Sequence, residues 1–203
     1  FLTWDDIRTN HLHISRYRMQ SKVILTVTCG LILIPSIYFY FFEFAQAPLK
    51  ERLLLSFFQA VTPRTAGFNT ADLNAMSESG QSIITVLMLV GGSPGSTAGG
   101  MKITTLAVLL ANAMAVFRRS EFPHFFNRRI AREIVSQAAT IFMMYLTLPL
   151  AGGLIISRLE EQPILDCLFE TASAIGTVGL SLGLTPQLQT ASHLILIVLM
   201  FFG

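Results

Sequence analysis

Three short tracts hold the residues whose types and spacing bear on chemistry. The first reads Thr62-Pro63-Arg64-Thr65-Ala66-Gly67-Phe68-Asn69-Thr70 and the second Ala174-Ile175-Gly176-Thr177-Val178-Gly179-Leu180-Ser181. Each centres on Thr-x-Gly. Glycine admits the positive-φ backbone that other residues resist, so such a segment can aim successive carbonyls at one axis. Rings of carbonyls aimed in this way replace the hydration shell of a cation. The candidate ion ligands are the backbone carbonyls of Thr65, Ala66, Gly67, Phe68, Thr177, Val178, Gly179 and Leu180. No tight metal site is expected beside them, only potassium, or sodium, in transit. The third tract is Gly91-Gly92-Ser93-Pro94-Gly95-Ser96-Thr97-Ala98-Gly99-Gly100, followed by Met101 and Lys102.

Thr177-Val178-Gly179 has the core of the channel filter sequence Thr-Val-Gly-Tyr-Gly. Thr65-Ala66-Gly67-Phe68 keeps the threonine, the glycine and an aromatic. Neither tract has a second glycine, so fewer strictly ordered sites and a looser selectivity are expected. A lone Thr-x-Gly is an ordinary turn. Recurrence is what raises these two above one. Shifting the chain by 112 residues pairs Val23 with Val135, Thr28 with Thr140, Phe57 with Phe169, Thr65 with Thr177 and Gly67 with Gly179. The same shift pairs Val86-Leu87-Met88 with Val198-Leu199-Met200, and Gly91 with Gly203.

The elements that must position these tracts are apolar. Hydrophobic residues make up 52% of the 203 residues and charged residues 13%. A soluble domain carries about a quarter charged residues, so the composition indicates a membrane protein. A net charge of +2 gives no reason to expect a nucleic-acid partner. Val23–Phe42 and Ile134–Ile156 are each long enough for a bilayer span of about 20 residues. Ser82–Phe117 as one helix would be about 54 Å long, too long for a simple span. Its Gly-Gly-Ser-Pro-Gly centre breaks a helix, which predicts two pieces, 82–90 and 103–117. Non-helical backbone at membrane depth persists only where protein buries it or a cavity hydrates it.

Lys50–Val61 and Pro163–Ala174 are too short to span. Each precedes a Thr-x-Gly tract, as a re-entrant pore helix would. Two spans per repeat give both copies the same topology, so their loops face one another, unlike the halves of an inverted-repeat carrier. Such a carrier, binding substrate at the broken helix, is the alternative within transport. Arg8, Arg16, Arg18 and Lys22 precede the first span, and Arg118, Arg119, Arg128, Arg129 and Arg132 precede the next. Both regions are therefore expected on the cytoplasmic side. The expected class is an all-α membrane protein of tandem helix–pore-helix–filter-loop–helix repeats. Its divisions are a cytoplasmic tail at 1–21, a pore repeat at 22–118, a linker at 119–129 and a second repeat at 130–203. Phe1 is no initiator, and Leu194–Phe202 is too short to span, so the chain reads as an internal segment of a longer polypeptide.

On the tracts Thr62–Thr70, Gly91–Lys102 and Gly176–Ser181, the sequence resembles the Trk/Ktr/HKT cation transporter superfamily, and most of all its Ktr-type membrane subunits. The resemblance covers nearly the whole chain. It implies four repeats in pseudo-fourfold array around one pore, with residues 22–118 similar to the third and 130–203 to the fourth. Residues 1–8 would then be the tail of the second. It also implies a homodimer seated on a cytoplasmic ring of nucleotide-binding regulatory subunits. The plasma membrane is the expected location, and no covalently bound cofactor is expected.

The glycine tract would act as a gate below the filter. Glycines supply freedom, Ser93, Ser96 and Thr97 would hold the closed form by hydrogen bonds, and Lys102 would place charge near the ion path or snorkel to the cytoplasm. Two other motif matches are rejected. Gly91-Gly92-Ser93-Pro94-Gly95 fits the hydrolase elbow G-x-S-x-G but has no preceding strand and no evident base beyond His193. Gly95 and Gly100 have P-loop spacing, but Met101 stands where lysine is required. No residue is expected to be catalytic. Arg64 is expected to brace the first loop, through carbonyls or Glu170, or else to sit solvated at the mouth. Glu170 is expected to bond filter amides or add negative potential, and Glu43 to be solvated. Cys29 and Cys167 match no metal spacing and are expected to be buried apolar residues.

Overall fold

The computed structural model describes Asp6, Arg8 and residues 17–120, 122–125 and 128–203. Arg16, most of the tail 1–21 and part of the linker lie outside the described residues. Helix α1, Met19–Tyr38, continues into a π-helical turn at Phe39–Glu43. Pro35 has no amide to donate inside it, and the turn closes with the Phe44 amide on the Phe39 carbonyl at 2.9 Å. Helix α2 is Leu49–Val61, α3 is Glu78–Leu89 and α4 is Ile103–Phe117. Helix α5 is Arg132–Glu160, α6 is Ile164–Ile175 and α7 is Thr190–Phe202. The order long helix, short helix, loop, third helix therefore occurs twice.

The expected split of 82–117 is present, with breaks at Leu89 and Ile103. One departure from an all-α chain lies in the linker. Two-residue strands, β1 (His124–Phe125) and β2 (Arg128–Arg129), pair antiparallel. Pro163 stands just before α6 as its N-cap residue.

Together, α1 with its π turn and α5 are long and apolar enough to cross a membrane. Their flanks expose large apolar side chains, such as Ile34 and Phe42, at 72% each. Exposed apolar stripes of this size suit lipid rather than water. Cys29 is on that exposed surface, which corrects the expectation of burial, whereas Cys167 is fully buried.

Packing joins the repeats through the short helices. Helix α6 lies against α5, α3 and α7, and α2 lies against α1. One buried cluster holds Phe39, Ala60, Ile84, Met88, Phe169, Val178 and Leu180, so it draws on both repeats. A second joins Tyr145, Ile156, Cys167, Ile175, Leu196 and Leu199. Both repeats also tie the long helix to the third helix by a carboxylate. Glu43 accepts from the Ser77 amide (3.1 Å) and hydroxyl at the start of α3. Glu160 accepts from the Gln189 amide (2.9 Å) and the Ser192 hydroxyl (2.5 Å) at the start of α7. Each caps unpaired amides at the positive end of a helix dipole. Glu43 is partly exposed, as expected from sequence, and is in addition a helix cap, a role the sequence did not suggest.

Candidate ion-conduction site

The two Thr-x-Gly tracts share one backbone conformation. Thr65 and Thr177 have φ of 61° and 49°, and Gly67 and Gly179 have φ of 70° and 88°. Ala66 and Val178, between them, are not in this region. Left-handed backbone costs a non-glycine residue about 1–2 kcal/mol, and both threonines bear it at the same register. Alternating handedness of this kind is the backbone form that a ladder of carbonyls aimed at one axis would require. Each tract is anchored to the end of its short helix. The Ala66 and Gly67 amides donate to the Thr62 carbonyl at 3.2 Å each. The Thr177 amide donates to Ala174 at 3.1 Å and the Val178 amide to Ser173 at 2.9 Å.

The tracts also meet. A methyl group built on Gly67 would lie 2.2 Å from the Val178 carbonyl oxygen, so only glycine admits that approach. Side chains alternate along the second tract, with Thr177 and Gly179 exposed and Val178 and Leu180 buried in the core. The Thr62 hydroxyl donates to the Phe68 carbonyl. This occupies one lone pair of a carbonyl expected to face ions, the last of the candidate ligands in the first tract.

Behind the second tract, Glu170 is 3% exposed. Its Oε1 accepts from the Ser181 hydroxyl at 2.7 Å and the Leu182 amide at 2.9 Å, and its Oε2 from the Thr185 hydroxyl. The carboxylate pins the return strand of the loop, one residue beyond the candidate ligands. It does not pair with Arg64, whose Nε is buried without a partner, which corrects the expected brace. At the position matching Gln59 in the repeat, Thr171 sits within 3.0 Å of the Pro149 carbonyl. Gln59 is fully buried and neither of its amide atoms has a partner. Nothing in the sequence singled it out.

The glycine tract forms a closed-neck loop between α3 and α4. The Gly91 amide donates to Met101 (2.9 Å), the Met101 amide to Leu89 (3.0 Å) and the Ile103 amide to Gly92 (3.2 Å). Gly91 and Gly100 are buried in the neck, while Gly95, Ser96 and Thr97 are exposed. A turn at Ser93–Ser96, containing Pro94, closes with the Ser96 amide on the Ser93 carbonyl at 3.1 Å. The hydroxyls of Ser93, Ser96 and Thr97 make no hydrogen bond among the described residues, which corrects their expected role. Backbone bonds hold the loop instead, together with the Lys102 ammonium, which folds back on the Ala98 carbonyl.

One bond reaches the second Thr-x-Gly tract. The Gly99 amide donates to Thr177 Oγ1 at 3.2 Å. A methyl on Gly99 would stand 2.1 Å from that oxygen, so this approach also requires glycine. The elbow match at Ser93 lacks the strand that motif needs, since α3 precedes it, and His193 Nδ1 sits 3.1 Å from the Gln189 carbonyl.

The family model described as TrkH, cation transport protein, matches residues 13–203. The chain is 38% identical to the potassium/sodium uptake protein NtpJ of Enterococcus hirae, over 100% of this chain and 47% of that protein. It is 37% identical to the Ktr system potassium uptake protein B of Bacillus subtilis, over 92% of this chain and 43% of the relative. The chain thus spans less than half the length of these relatives. Its fold matches the crystal structure of the potassium transporter TrkH from Vibrio parahaemolyticus with a TM-score of 0.76 at 18% identity, covering 91% of this chain and 41% of that one. By the family match over nearly all of its length, the chain belongs to the TrkH family of membrane cation transport proteins.

Proposed function

We propose that the chain forms two of the repeats around a potassium uptake pathway, with a carbonyl filter at Thr65–Phe68 and Thr177–Leu180 and a gate at Gly91–Lys102. The single observation that carries this reading is the paired geometry at Thr65/Gly67 and Thr177/Gly179, 112 residues apart. A turn has no reason to repeat a strained threonine at fixed register, and a carbonyl ladder needs one. Potassium loses its water to these carbonyls. Sodium passes where the shorter ladder discriminates less, in line with the potassium/sodium name of one relative.

In the gate reading, the loop obstructs the pathway while the Gly99 amide holds Thr177, and conduction requires that bond to break. The fourfold pore, the homodimer, the nucleotide-binding ring on the cytoplasmic face and the multi-pass placement in the plasma membrane belong to the same proposal. They rest on the family match and on the arginines beside α4 and α5.

The test is rubidium uptake by the intact protein in cells without other potassium uptake. The parent is compared with Gly179→Ser and with deletion of residues 92–99. The deletion is geometrically sound, because a methyl on Gly100 would lie 3.2 Å from the Gly91 Cα, close enough to rejoin the neck. Weaker or less selective uptake by Gly179→Ser, with raised flux in the deletion, supports both assignments. Unchanged uptake and ion preference in folded Gly179→Ser protein would overturn the filter.

A further inference from the structure

The pathway makes no use of the arginines between α4 and α5. Over residues 118–133 the sequence has five, Arg118, Arg119, Arg128, Arg129 and Arg132, against Glu121 and Glu133. Glu121 lies outside the described residues. None of the five makes an ion pair with Glu133 or any other described acid. Arg129 and Arg132 instead stand over the same ring, Phe122, at 5.3 and 5.5 Å. The strand register puts His124, not an acid, opposite Arg129. An aromatic face steadies a guanidinium but carries no net charge to neutralise it.

Beside these arginines is a cavity of about 370 Å³ between α1, α4, the β1–β2 pair and α5. Val23, Val108, Ile130 and Ile134 make it apolar, and the exposed Arg128 and Arg129 complete its wall. An apolar slot between membrane helices, walled on one side by two guanidiniums that form no ion pair with a described acid, matches an amphiphile. Guanidinium forks fit phosphate oxygens in bidentate fashion, and basic pockets between membrane helices take lipid headgroups. Free phosphate would leave the slot unused, and an acidic protein segment would meet the arginines without filling it.

We propose that this slot binds an anionic phospholipid, with one acyl chain among Val23, Val108, Ile130 and Ile134 and the phosphate on Arg128 and Arg129. The test takes the intact protein, purified and delipidated in detergent, with native mass spectrometry as the readout. Dioleoyl phosphatidylglycerol and dioleoyl phosphatidylcholine are added separately. Phosphatidylglycerol is expected to be retained and phosphatidylcholine not. Arg128→Gln with Arg129→Gln lowers retention about twenty-five-fold, at about fivefold per basic residue. Val108→Trp, which fills the slot and keeps the charge, lowers it as well, while Arg118→Gln with Arg119→Gln leaves it within about twofold.

Equal retention of the two lipids would overturn the proposal. So would an equal loss from the Arg118 and Arg119 pair, which would mean diffuse surface attraction. Displacement by inorganic phosphate at the lipid's own concentration would make this a free-phosphate site and would also overturn it. Unchanged lipid retention with loss of a co-purifying acidic protein from the Arg128 and Arg129 variant would give the arginines to a protein partner instead.

Discussion

Replacing Gly99 with alanine tests the proposed gate at its hydrogen bond to the proposed filter. The new methyl would lie 2.1 Å from Thr177 Oγ1, 2.9 Å from Cγ2 and 3.0 Å from Cβ. Thr177 cannot swing away easily, because it is β-branched and already at φ 49°. The loop must retreat instead. Overpacking of this kind costs about 1–3 kcal/mol, and losing the Gly99 amide bond adds about 1 kcal/mol. The closed arrangement therefore loses about 2–4 kcal/mol, which shifts the open-to-closed ratio by about thirty-fold to several hundred-fold. Where the parent is mostly closed, rubidium flux through protein reconstituted in liposomes rises toward the level of the 92–99 deletion.

Combining Gly99→Ala with Thr177→Ala separates the clash from general disruption. Direct contact predicts strong non-additivity in flux, with a coupling of about 1 kcal/mol or more. Unchanged flux in folded Gly99→Ala, or additive effects in the pair, would refute the claim that this contact keeps the loop closed.

Four more outcomes follow from the same geometry. Gly67→Ala should damage uptake more than Gly179→Ala, because a methyl on Gly67 meets the Val178 carbonyl at 2.2 Å while one on Gly179 meets nothing within 4 Å; equal losses in rubidium uptake would contradict the meeting of the two tracts. Glu170→Ala leaves three donors without their acceptor; the expected loss is about 2–4 kcal/mol, read as a lower melting temperature with reduced potassium-over-sodium preference, and Glu170→Gln should keep most of both. Removing the cap at Glu43 or Glu160 by alanine should cost about 1 kcal/mol each, additive in the double variant by thermal melting because the two lie in different repeats. Gln59→Met should be neutral or raise the melting temperature, since it removes two buried polar atoms that have no partner; a drop of several degrees would show that the amide is bonded in the assembled protein.

Features that depend on short-range physics can be read from the residues alone. A 112-residue offset, two apolar runs long enough to span, two short helices and a glycine tract that breaks a helix are all legible in one dimension, because each reflects local propensity or the length of a bilayer core. Residue type permits the positive φ at Gly67 and Gly179 but does not dictate it, since Gly91, Gly99 and Gly176 do not adopt it. Tertiary structure decided which groups those local shapes bring together. Glu43 and Ser77 are 34 residues apart, Glu160 and Ser192 32 apart, and Gly99 and Thr177 78 apart. No pattern in the chain announces such pairs. Glu170 is one of several partners the sequence allows for Arg64, yet the fold turns Glu170 to its own loop and leaves the arginine Nε alone. Ser93, Ser96 and Thr97 looked like the ties of the loop, yet backbone amides hold it. The reason is the same in each case. A side chain can reach many partners along a sequence, and tertiary packing fixes which of them stands within hydrogen-bond reach.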